Sequence, residues 1–263
     1  IIVCAETLDG AWKGRNALKV QWDKGSHPDM NNDSIEKHFI EGLDKPGPAA
    51  KNVGDAKKAF AEASKKVEAT YFVPFVAHAT MEPMNCTAHV QKDRCDVWAP
   101  TQAQILSQIF ASQVSGLPID KIHIHTTFLG CGLGRRGSLP DFIVEAVTAS
   151  KAVGKPVKVV WSREEDIKYD FYRAATCQRI EAGLDSQGRV VGWSHKVACS
   201  SILKFLNPEW IQNGIDFFSL WGIVDAPMPP VYSHTVYEFP NFYVEQYLSD
   251  LPIPVCPWRS VQN

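Results

Sequence analysis

The sequence lacks the cysteine spacing, the charge excess and the long apolar run that mark several common classes of protein. Its seven cysteines form no Cys-x-x-Cys pair, which argues against a zinc ribbon or an iron–sulfur cluster bound by this chain. The formal net charge of −2 provides no basic surface for a nucleic acid or an anionic membrane. No apolar stretch is long enough to span a bilayer. We therefore expect a globular protein with buried free thiols and no nucleic-acid partner.

The pattern of apolar residues predicts an α+β fold with mixed sheets and packed helices. Of the 263 residues, 45% are hydrophobic, which is enough for one large domain or two modest ones. Strand and helix patterns follow one another without strict alternation, and this favours the α+β class. The predicted helices cover 34–43, 56–64, 102–115 (capped by Thr101) and 139–153, and the predicted strands cover 67–73, 85–91, 94–98, 121–127, 157–161, 176–185, 189–199 and 242–249.

The first fifty residues predict the end of a small α/β domain followed by a linker. Ile1–Ala5 and Leu18–Trp22 have the apolar character of strands, with a short helix over 11–17 between them. Proline and glycine in Lys45–Ala50 break the pattern, so we place a domain boundary there and a second, truncated domain over 51–263. The chain begins inside a predicted strand and ends in a predicted loop. We interpret it as an internal piece of a longer protein.

A glycine cluster at 130–137 is the strongest local feature. Gly130, Gly132 and Gly134 lack Cβ atoms, so backbone N–H groups there can approach a ligand closely. The helix that follows adds its positive end, and Arg135 and Arg136 add fixed charge and bidentate donors. These features predict a site for an anionic ligand. The alternative interpretation is a glycine-rich turn that serves only tight packing.

The same glycines also match the G-x-G-x-x-G fingerprint of dinucleotide-binding proteins. The match covers Gly132–Gly137 and lies between a predicted strand and a predicted helix. Against it, two arginines stand where a pyrophosphate would approach. The preceding strand also carries His123 and His125 instead of a purely apolar run. A dinucleotide-dependent oxidoreductase stays an alternative, as does a non-catalytic binding or scaffold domain.

Two histidine-containing patterns are weaker candidates for metal or acid–base chemistry. His78 and Glu82 stand four residues apart, but the nearby proline and strands favour a loop in which they hold the backbone through hydrogen bonds. His123 and His125 share one side of a strand and could bind a metal. Because no third ligand is evident, a polar or packed face is the preferred interpretation.

Three further segments carry polar groups near predicted element ends. Gln102 stands where a strand gives way to a helix, so its amide can be presented to a ligand. The charged run over 161–166 is interpreted as a solvated helix start, with its acids favoured by the helix dipole. Arg259, near the end of the chain, could present its guanidinium to an anion. None of these segments identifies a function by itself.

Five motifs occur in an order that resembles one family closely. They are His78-x-x-Met-Glu-Pro83, Trp98-x-Pro-Thr-Gln102, Gly130-x-Gly-x-Gly-Arg-Arg136, Gly154–Asp166 and Trp258-Arg-Ser-Val261. The sequence resembles the molybdopterin-binding large subunit of the xanthine oxidase and aldehyde oxidase family over nearly its whole length. Within that family it is most similar to the branch that contains the isoquinoline 1-oxidoreductase beta subunit. The segment 51–263 would then be the first part of the molybdopterin-binding domain.

The resemblance implies an activity, a cofactor and a set of site residues. Such enzymes hydroxylate an N-heterocycle or an aldehyde with oxygen taken from water. Their molybdenum–molybdopterin cofactor often bears a cytosine nucleotide in bacteria. By resemblance, Gln102 donates a hydrogen bond to an oxo ligand of the metal, and the backbone at 132–134 approaches the metal and the pterin. We expect the cofactor-binding residues to be Gln102, Gly132, Leu133, Gly134 and Arg135, and the substrate-pocket residues to be Glu82 and Arg259.

The resemblance also implies partners and a location. Electrons leave such enzymes through iron–sulfur clusters on a small partner subunit, and a cytochrome c is a candidate acceptor beyond it. The other partner is the small-molecule substrate. A periplasmic or membrane-associated location is expected, with a cytoplasmic one as the alternative.

Two departures from the family pattern limit what this chain is expected to do alone. The family's loop usually reads Gly-Gly-Gly-Phe-Gly-Arg-Arg, whereas Cys131 and Leu133 replace a glycine and the phenylalanine here. Since that phenylalanine packs near the metal, Leu133 is expected to widen the pocket. The family's catalytic base is a glutamate in a Gly-x-Gly-Glu motif that these residues do not contain. We therefore expect no catalytic base and no metal ligand in this chain, and no turnover by the 263 residues alone.

Overall fold

The structure, a computed structural model, describes residues 1–224, 237–249 and 251–259. The chain forms two compact units, and neither is continuous in sequence. The first comprises Ile1–Asp29 and His78–Tyr169, and the second comprises Met30–Ala77 and Asp170–Asn263. This division follows spatial contacts and differs from the linear boundary that we place near residue 50, which stays a prediction.

The described residues contain helices and strands in mixed order. The helices are α1 (Leu8–Ala17), α2 (Asn32–Leu43), α3 (Ala56–Glu62), α4 (Gln104–Ser115), α5 (Asp141–Val153), α6 (Arg163–Lys168) and α7 (Leu203–Leu206). The strands are β1 (Ala49–Val53), β2 (Lys65–Val73), β3 (Asn85–Val90), β4 (Cys95–Ala99), β5 (Ile122–Thr126), β6 (Val157–Val160), β7 (Thr176–Leu184), β8 (Val190–Ser200) and β9 (Phe242–Ser249). Short 3₁₀ turns occupy Ile119–Lys121, Arg135–Gly137 and Pro208–Trp210. In the described part of the chain, no helix combines the length and the apolar character needed to cross a bilayer.

The first unit is built on a four-stranded sheet in the order β5-β4-β3-β6. Strands β4 and β5 are parallel, and the other neighbouring pairs are antiparallel. Its core contains Val97 from β4 and Phe142, Ile143 and Val147 from α5, all fully buried. The spacing of the three α5 residues puts them on one face of that helix, which explains why it lies against the sheet. This packing fixes the two ends of the loop that joins β5 to α5.

The second unit is built on a five-stranded sheet in the order β1-β9-β8-β7-β2, with β8 and β9 parallel. Strands β7 and β8 form a long hairpin, as the sequence predicts. Its turn closes where the Gly188 N–H donates to the Asp185 carbonyl at 3.1 Å, and Gly188 has φ +79°, a conformation that favours glycine. Phe39 and Leu43 of α2 pack on the sheet. The prediction of mixed sheets with packed helices is confirmed.

Two predicted strands in the first thirty residues are wrong. Ile1–Ala5 and Leu18–Trp22 adopt no strand in the structure, although the helix predicted between them exists as α1. Instead, Val3 lies so close to α1 that a Cβ atom added at Gly14 would stand 2.8 Å from its side chain. Apolar character alone suggested strands, but a strand also needs a hydrogen-bonded neighbour.

The start of α4 also differs from the prediction. The helix begins at Gln104 after Ala103, which makes no side-chain capping bond. The Thr101 hydroxyl accepts from the Ala103 N–H at 3.0 Å and lies 2.9 Å from the hydroxyl of Ser107. Thr101 therefore stabilises the turn that precedes the helix, and this leaves Gln102 in a non-helical segment.

The cysteines are thiols, none is in a disulfide, and most are buried, as expected. Five are buried, namely Cys86, Cys95, Cys177, Cys199 and Cys256. Burial raises the pKa of Cys199 to about 12 and that of Cys95 to about 11. Since the thiolate is the reactive form, these two side chains are inert at neutral pH.

A buried histidine makes the stability of the second unit depend on pH. His195 of β8 is 6% exposed, its Nε2 lies 2.9 Å from Gln178 Oε1, and burial lowers its pKa from 6.5 to about 4. The unfolded chain therefore binds a proton between pH 6.5 and 4 that the folded chain does not, so stability falls as the pH is lowered through this window. Between pH 7 and pH 5 His195 should account for a loss of about 2 kcal/mol.

Urea unfolding of the wild-type chain and of His195→Gln at both pH values measures this contribution. The variant should lose correspondingly less stability than the wild type on acidification. Equal losses would show that His195 is not the residue responsible.

Candidate cofactor-binding site

The glycine loop joins β5 to α5 in the first unit and has an irregular backbone. Cys131, Leu133 and Gly134 have φ angles of +77°, +54° and +106°, whereas φ at Gly132 is not positive. When positive and negative φ angles alternate along a chain, successive N–H groups turn toward the same side. They form a concave site for an anion or an electronegative oxygen. The local backbone can therefore bind an anion or an electronegative oxygen, and the ligand site predicted from the glycines stays a prediction.

Gln102 lies directly against this loop. Its Oε1 accepts from the Gly134 N–H at 3.3 Å, and its own N–H donates to the Arg136 carbonyl at 3.0 Å. Gly132 is buried beside it, and a Cβ atom added there would collide with the Gln102 amide. The two features that the sequence analysis found in separate motifs are thus in contact, and only glycine fits at position 132 while Gln102 keeps this orientation.

Several hydrogen-bond donors of this group have no acceptor among the described residues. They are the Gln102 Nε2 amide group, on an exposed side chain, and the backbone N–H groups of Cys131, Gly132 and Leu133. Gly132 is buried, whereas Cys131 and Leu133 are half-buried, so water or a ligand has to supply the acceptors of these N–H groups. The arrangement can therefore hold a group that presents oxygen acceptors.

Glu82 is anchored to the first glycine of the loop. The Gly130 N–H donates to Glu82 Oε2 at 2.9 Å, and the Glu82 N–H donates back to the Gly130 carbonyl at 2.9 Å. The Asn85 side-chain amide donates to Glu82 Oε1 at 2.9 Å. Both carboxylate oxygens thus have donors within the chain, and they hold the loop before β3 against the glycine loop. The part that we predict for Glu82 in the substrate pocket stays a prediction.

Arg135 is turned into the protein. Its side chain is 1% exposed, and its two terminal nitrogens donate to the Asp141 carboxylate at 2.9 and 2.7 Å. Its guanidinium carbon lies 5.6 Å from the centre of the Trp161 ring. These contacts tie the loop to the first turn of α5. The terminal nitrogens of Arg135 are thus directed to Asp141. Cofactor binding by Arg135 stays a prediction.

The charged run at 161–166 begins helix α6, with Glu164 and Glu165 exposed in its first turn as predicted, but Asp166 is buried. Asp166 is 3% exposed and accepts from the Met84 N–H at 3.3 Å and from Arg163 Nη1 at 2.6 Å. Arg163 Nη2 also donates to the Met81 carbonyl at 2.9 Å. The pair therefore holds the loop that carries Glu82. Sequence reasoning missed it because an Arg–Asp pair three residues apart is usually exposed.

The remaining candidates make contacts of their own or belong to the second unit. His125 Nε2 lies 2.8 Å from Asp96 Oδ1, and its ring stacks on Trp98 at 4.9 Å. Arg94 also binds Asp96 and holds the pKa of that carboxyl well below its usual range. Among the described residues, no three His, Cys, Asp or Glu side chains are arranged to hold a metal ion. Arg259 belongs to the second unit and is exposed, and its predicted role stays a prediction.

Cys131 stands in a conformation that suits glycine better. At φ +77° its Cβ atom meets the following carbonyl, a strain of about 1 to 2 kcal/mol in an L-residue. We expect Cys131→Gly to be more stable than Cys131→Ala by about 1 kcal/mol, because both lose the thiol but only glycine relieves the strain. Chemical denaturation of the two variants measures the difference. Equal stabilities, or a more stable alanine variant, would show that the backbone is not strained at this position.

Comparison with known families and structures identifies the domain. Residues 42–201, more than half of the chain, match the molybdopterin cofactor-binding domain. The chain belongs to this family. The match includes Glu82, Gln102 and the whole glycine loop, so the family predicted from the five motifs is confirmed.

Two similar proteins are much longer than this chain. The chain is 31% identical over 208 residues to the isoquinoline 1-oxidoreductase subunit beta of Brevundimonas diminuta, covering 76% of this chain and 26% of that protein. It is 26% identical over 219 residues to a protein of Gluconacetobacter polyoxogenes named membrane-bound aldehyde dehydrogenase [pyrroloquinoline-quinone], covering 82% and 28%. The chain thus spans about a quarter of the length of these relatives.

A solved structure has the same fold. Quinoline 2-oxidoreductase from Pseudomonas putida 86 superimposes with a TM-score of 0.60 at 14% identity, covering 84% of this chain and 28% of that one. At this identity the likeness concerns the fold alone.

Proposed function

We propose that the chain forms one wall of the molybdenum-cofactor site of an oxidoreductase that hydroxylates an aldehyde or an N-heterocycle with oxygen from water. The observation that carries this proposal is the contact between Gln102 and the glycine loop. There, an exposed amide and three backbone N–H groups without acceptors in the described chain lie together. Membership of the molybdopterin cofactor-binding family supports the cofactor, and the names of the relatives support the two substrate classes.

The residues present fit such a group. A molybdenum–pterin cofactor presents oxygen and nitrogen acceptors, and the open N–H groups at 131–133 and the Gln102 amide are donors for them. A Cβ atom at position 132 would overlap the Gln102 amide, so glycine at this position lets the donors lie together. When bound, the cofactor supplies the two-electron redox chemistry. Gln102 Nε2 would donate a hydrogen bond to an oxygen of the group, and the backbone of Gly132, Leu133 and Gly134 would hold it in place.

We also propose the partners that the relatives suggest. One relative is named a subunit beta, which supports an enzyme of several subunits. The electron partner would be a small iron–sulfur subunit, with a cytochrome c as a candidate acceptor beyond it. The word membrane-bound in another name supports a periplasmic or membrane-associated location. The cofactor would carry a cytosine nucleotide, and the catalytic base would come from outside these 263 residues. The chain alone would not turn over.

The dinucleotide alternative has little physical support. In a dinucleotide fold the glycines lead directly into a helix whose N-terminus binds the pyrophosphate. Here a 3₁₀ turn at Arg135–Gly137 intervenes, and α5 begins only at Asp141. Strands β5 and β6, which flank α5, stand at opposite edges of the sheet. The expected unit of adjacent parallel strands is therefore not formed.

Gln102→Glu tests the proposed function. The carboxylate keeps the size of the side chain but removes the N–H donors, so we expect turnover of aldehydes or N-heterocycles to fall about 100-fold. The measurement uses the protein expressed from its complete gene with its electron-transfer partner, with rates expressed per bound molybdenum.

Gln104→Glu is the matched control, because Gln104 is an exposed glutamine two residues further on that contacts Thr126. Its rate should stay within about twofold of the wild type. Full activity per molybdenum in Gln102→Glu would contradict the proposal.

A further inference from the structure

Arg136 joins two segments that are distant in sequence. Its side chain is 1% exposed. Nη1 donates to the Pro100 carbonyl at 3.1 Å, whereas Nη2 donates to the carbonyl of Glu82 at 2.7 Å and that of Pro83 at 3.3 Å. Nη2 also lies 3.1 Å from Glu82 Oε2, so the buried charge has a counter-ion. One guanidinium thus binds the segment before α4 on one side and the loop before β3 on the other.

The backbone of Arg136 binds the same segment again. Its carbonyl accepts from the Gln102 N–H at 3.0 Å and from the Thr101 hydroxyl at 3.4 Å. Arg136 therefore holds Pro100 with its side chain and Gln102 with its main chain. Pro100 and Gln102 stand on either side of Thr101, and Arg136 binds both. Arg136 therefore fixes the backbone of Gln102 at the place from which its side chain reaches Gly134.

Arg135 provides a contrast at the neighbouring position. Both arginines are 1% exposed. The guanidinium carbon of Arg135 lies 5.6 Å from the centre of the Trp161 ring, and that of Arg136 lies 6.0 Å from the centre of the Phe142 ring. The guanidinium of Arg135 binds Asp141 at the start of α5. Burial, charge and aromatic contact are shared, and the difference lies in which segments are held.

We propose that Arg136 is a positioning residue that fixes Gln102 against the glycine loop through its two-sided hold on the Pro100 and Glu82 segments. The planar fork of arginine is required, because the two segments are bound by two different nitrogens, Nη1 and Nη2, whereas lysine presents its donors from a single nitrogen. The consequence for cofactor chemistry rests on the proposed function, but the positioning itself does not. In a loaded enzyme Arg136 would act only through Gln102.

Hydrogen exchange measured by NMR on the 263-residue chain tests the proposal without any cofactor. The Gly134 N–H reports on the Gln102 side chain, since it donates to Gln102 Oε1. Exchange is compared with that of amides in β4, so that a general loss of stability is separated from local release. We expect Arg136→Lys to accelerate Gly134 exchange about tenfold relative to β4, as Gln102→Ala should. The double variant should exchange no faster than either single variant, because both remove the same contact.

Arg135→Lys is the matched control and should change relative Gly134 exchange by no more than about twofold. Unchanged exchange in Arg136→Lys, additive effects in the double variant, or an equal effect of Arg135→Lys would each overturn the proposal. If Arg136→Lys does not fold, Glu82→Gln replaces it. That change removes the counter-ion of Arg136, whereas the amide oxygen of glutamine can still accept from the Gly130 N–H, so the glycine loop keeps this bond. It should also accelerate Gly134 exchange, and unchanged exchange would again overturn the proposal.

The two hypotheses fail in different experiments. Full activity per molybdenum in Gln102→Glu would contradict the proposed function but would leave the positioning role of Arg136 untouched. Unchanged Gly134 exchange in Arg136→Lys would contradict the positioning role of Arg136 but would leave the proposed contact between Gln102 and the cofactor untouched.

Discussion

Gly132→Ala is expected to lower the molybdenum content of the protein expressed from its complete gene at least tenfold, a loss of about 1.4 kcal/mol or more in binding. Position 132 is buried, and an added Cβ atom would overlap the amide of Gln102. Either the Gln102 side chain leaves the loop or the loop backbone moves. Both changes disturb the donors that we propose for the cofactor. The methyl group is small, so the fold should survive while the site does not.

Gly137→Ala is the matched control in the same loop. A Cβ atom there would lie 3.6 Å from the Cβ atom of Gln102, an ordinary contact, and no positive φ stands in its way. The expected molybdenum content is that of the wild type. Metal analysis of the purified variants, together with their unfolding curves, gives both values. Equal molybdenum content in Gly132→Ala and Gly137→Ala would contradict the role assigned to the contact between Gly132 and Gln102.

Asp216→Asn is expected to lower the free energy of unfolding by about 3 kcal/mol. The Asp216 side chain is fully buried in the second unit, and its carboxylate is surrounded by neutral donors. The donors are Ser201 Oγ at 2.8 Å, Leu203 N at 2.9 Å, Ser219 Oγ at 3.0 Å and Ser219 N at 3.1 Å. An asparagine has one acceptor oxygen in place of two, so donors on one side would face an N–H₂ group.

The same carboxylate organises the residues around the end of β8. Gln246 adds to the network, since its Oε1 accepts from the Asp216 N–H at 2.8 Å and its Nε2 donates to the Asp216 carbonyl at 3.1 Å.

Chemical denaturation of Asp216→Asn measures the expected loss of stability. Asp120→Asn is the control, because it removes an exposed carboxylate, and it should change the free energy of unfolding by less than about 0.5 kcal/mol. A loss below about 1 kcal/mol in Asp216→Asn would show that the buried network is not needed for the fold.

Repeating patterns made much of the fold predictable. Residues that begin and end helices located α2 and α5, and the turn residues at Asp185–Gly188 located the β7–β8 hairpin. Ile1–Ala5 was wrong because apolar character is shared by strands and by extended segments that pack on a helix. Hydrogen-bonded neighbours distinguish the two, and neighbours distant in sequence are not visible in a local pattern.

The site was predictable where the chemistry resides in the backbone, and less so where it depends on buried charge. Glycines at 130–134 and the amide of Gln102 indicated a ligand site, and the structure brings them into contact. The sequence predicts the same role for Arg135 and Arg136, namely donors for an anion. The structure separates them by the partners of their guanidinium groups, and those partners lie 6 to 54 residues away in the chain. Only the folded arrangement specifies them.

The central claim is that this chain forms part of a molybdenum-cofactor site, and the molybdenum content of the purified protein tests it most directly. The protein should be expressed from its complete gene in cells that make the cofactor, purified with its partner subunits, and analysed for metal and released pterin. We predict about one molybdenum and one pterin per chain. Stoichiometric protein that is folded and carries neither would contradict the account.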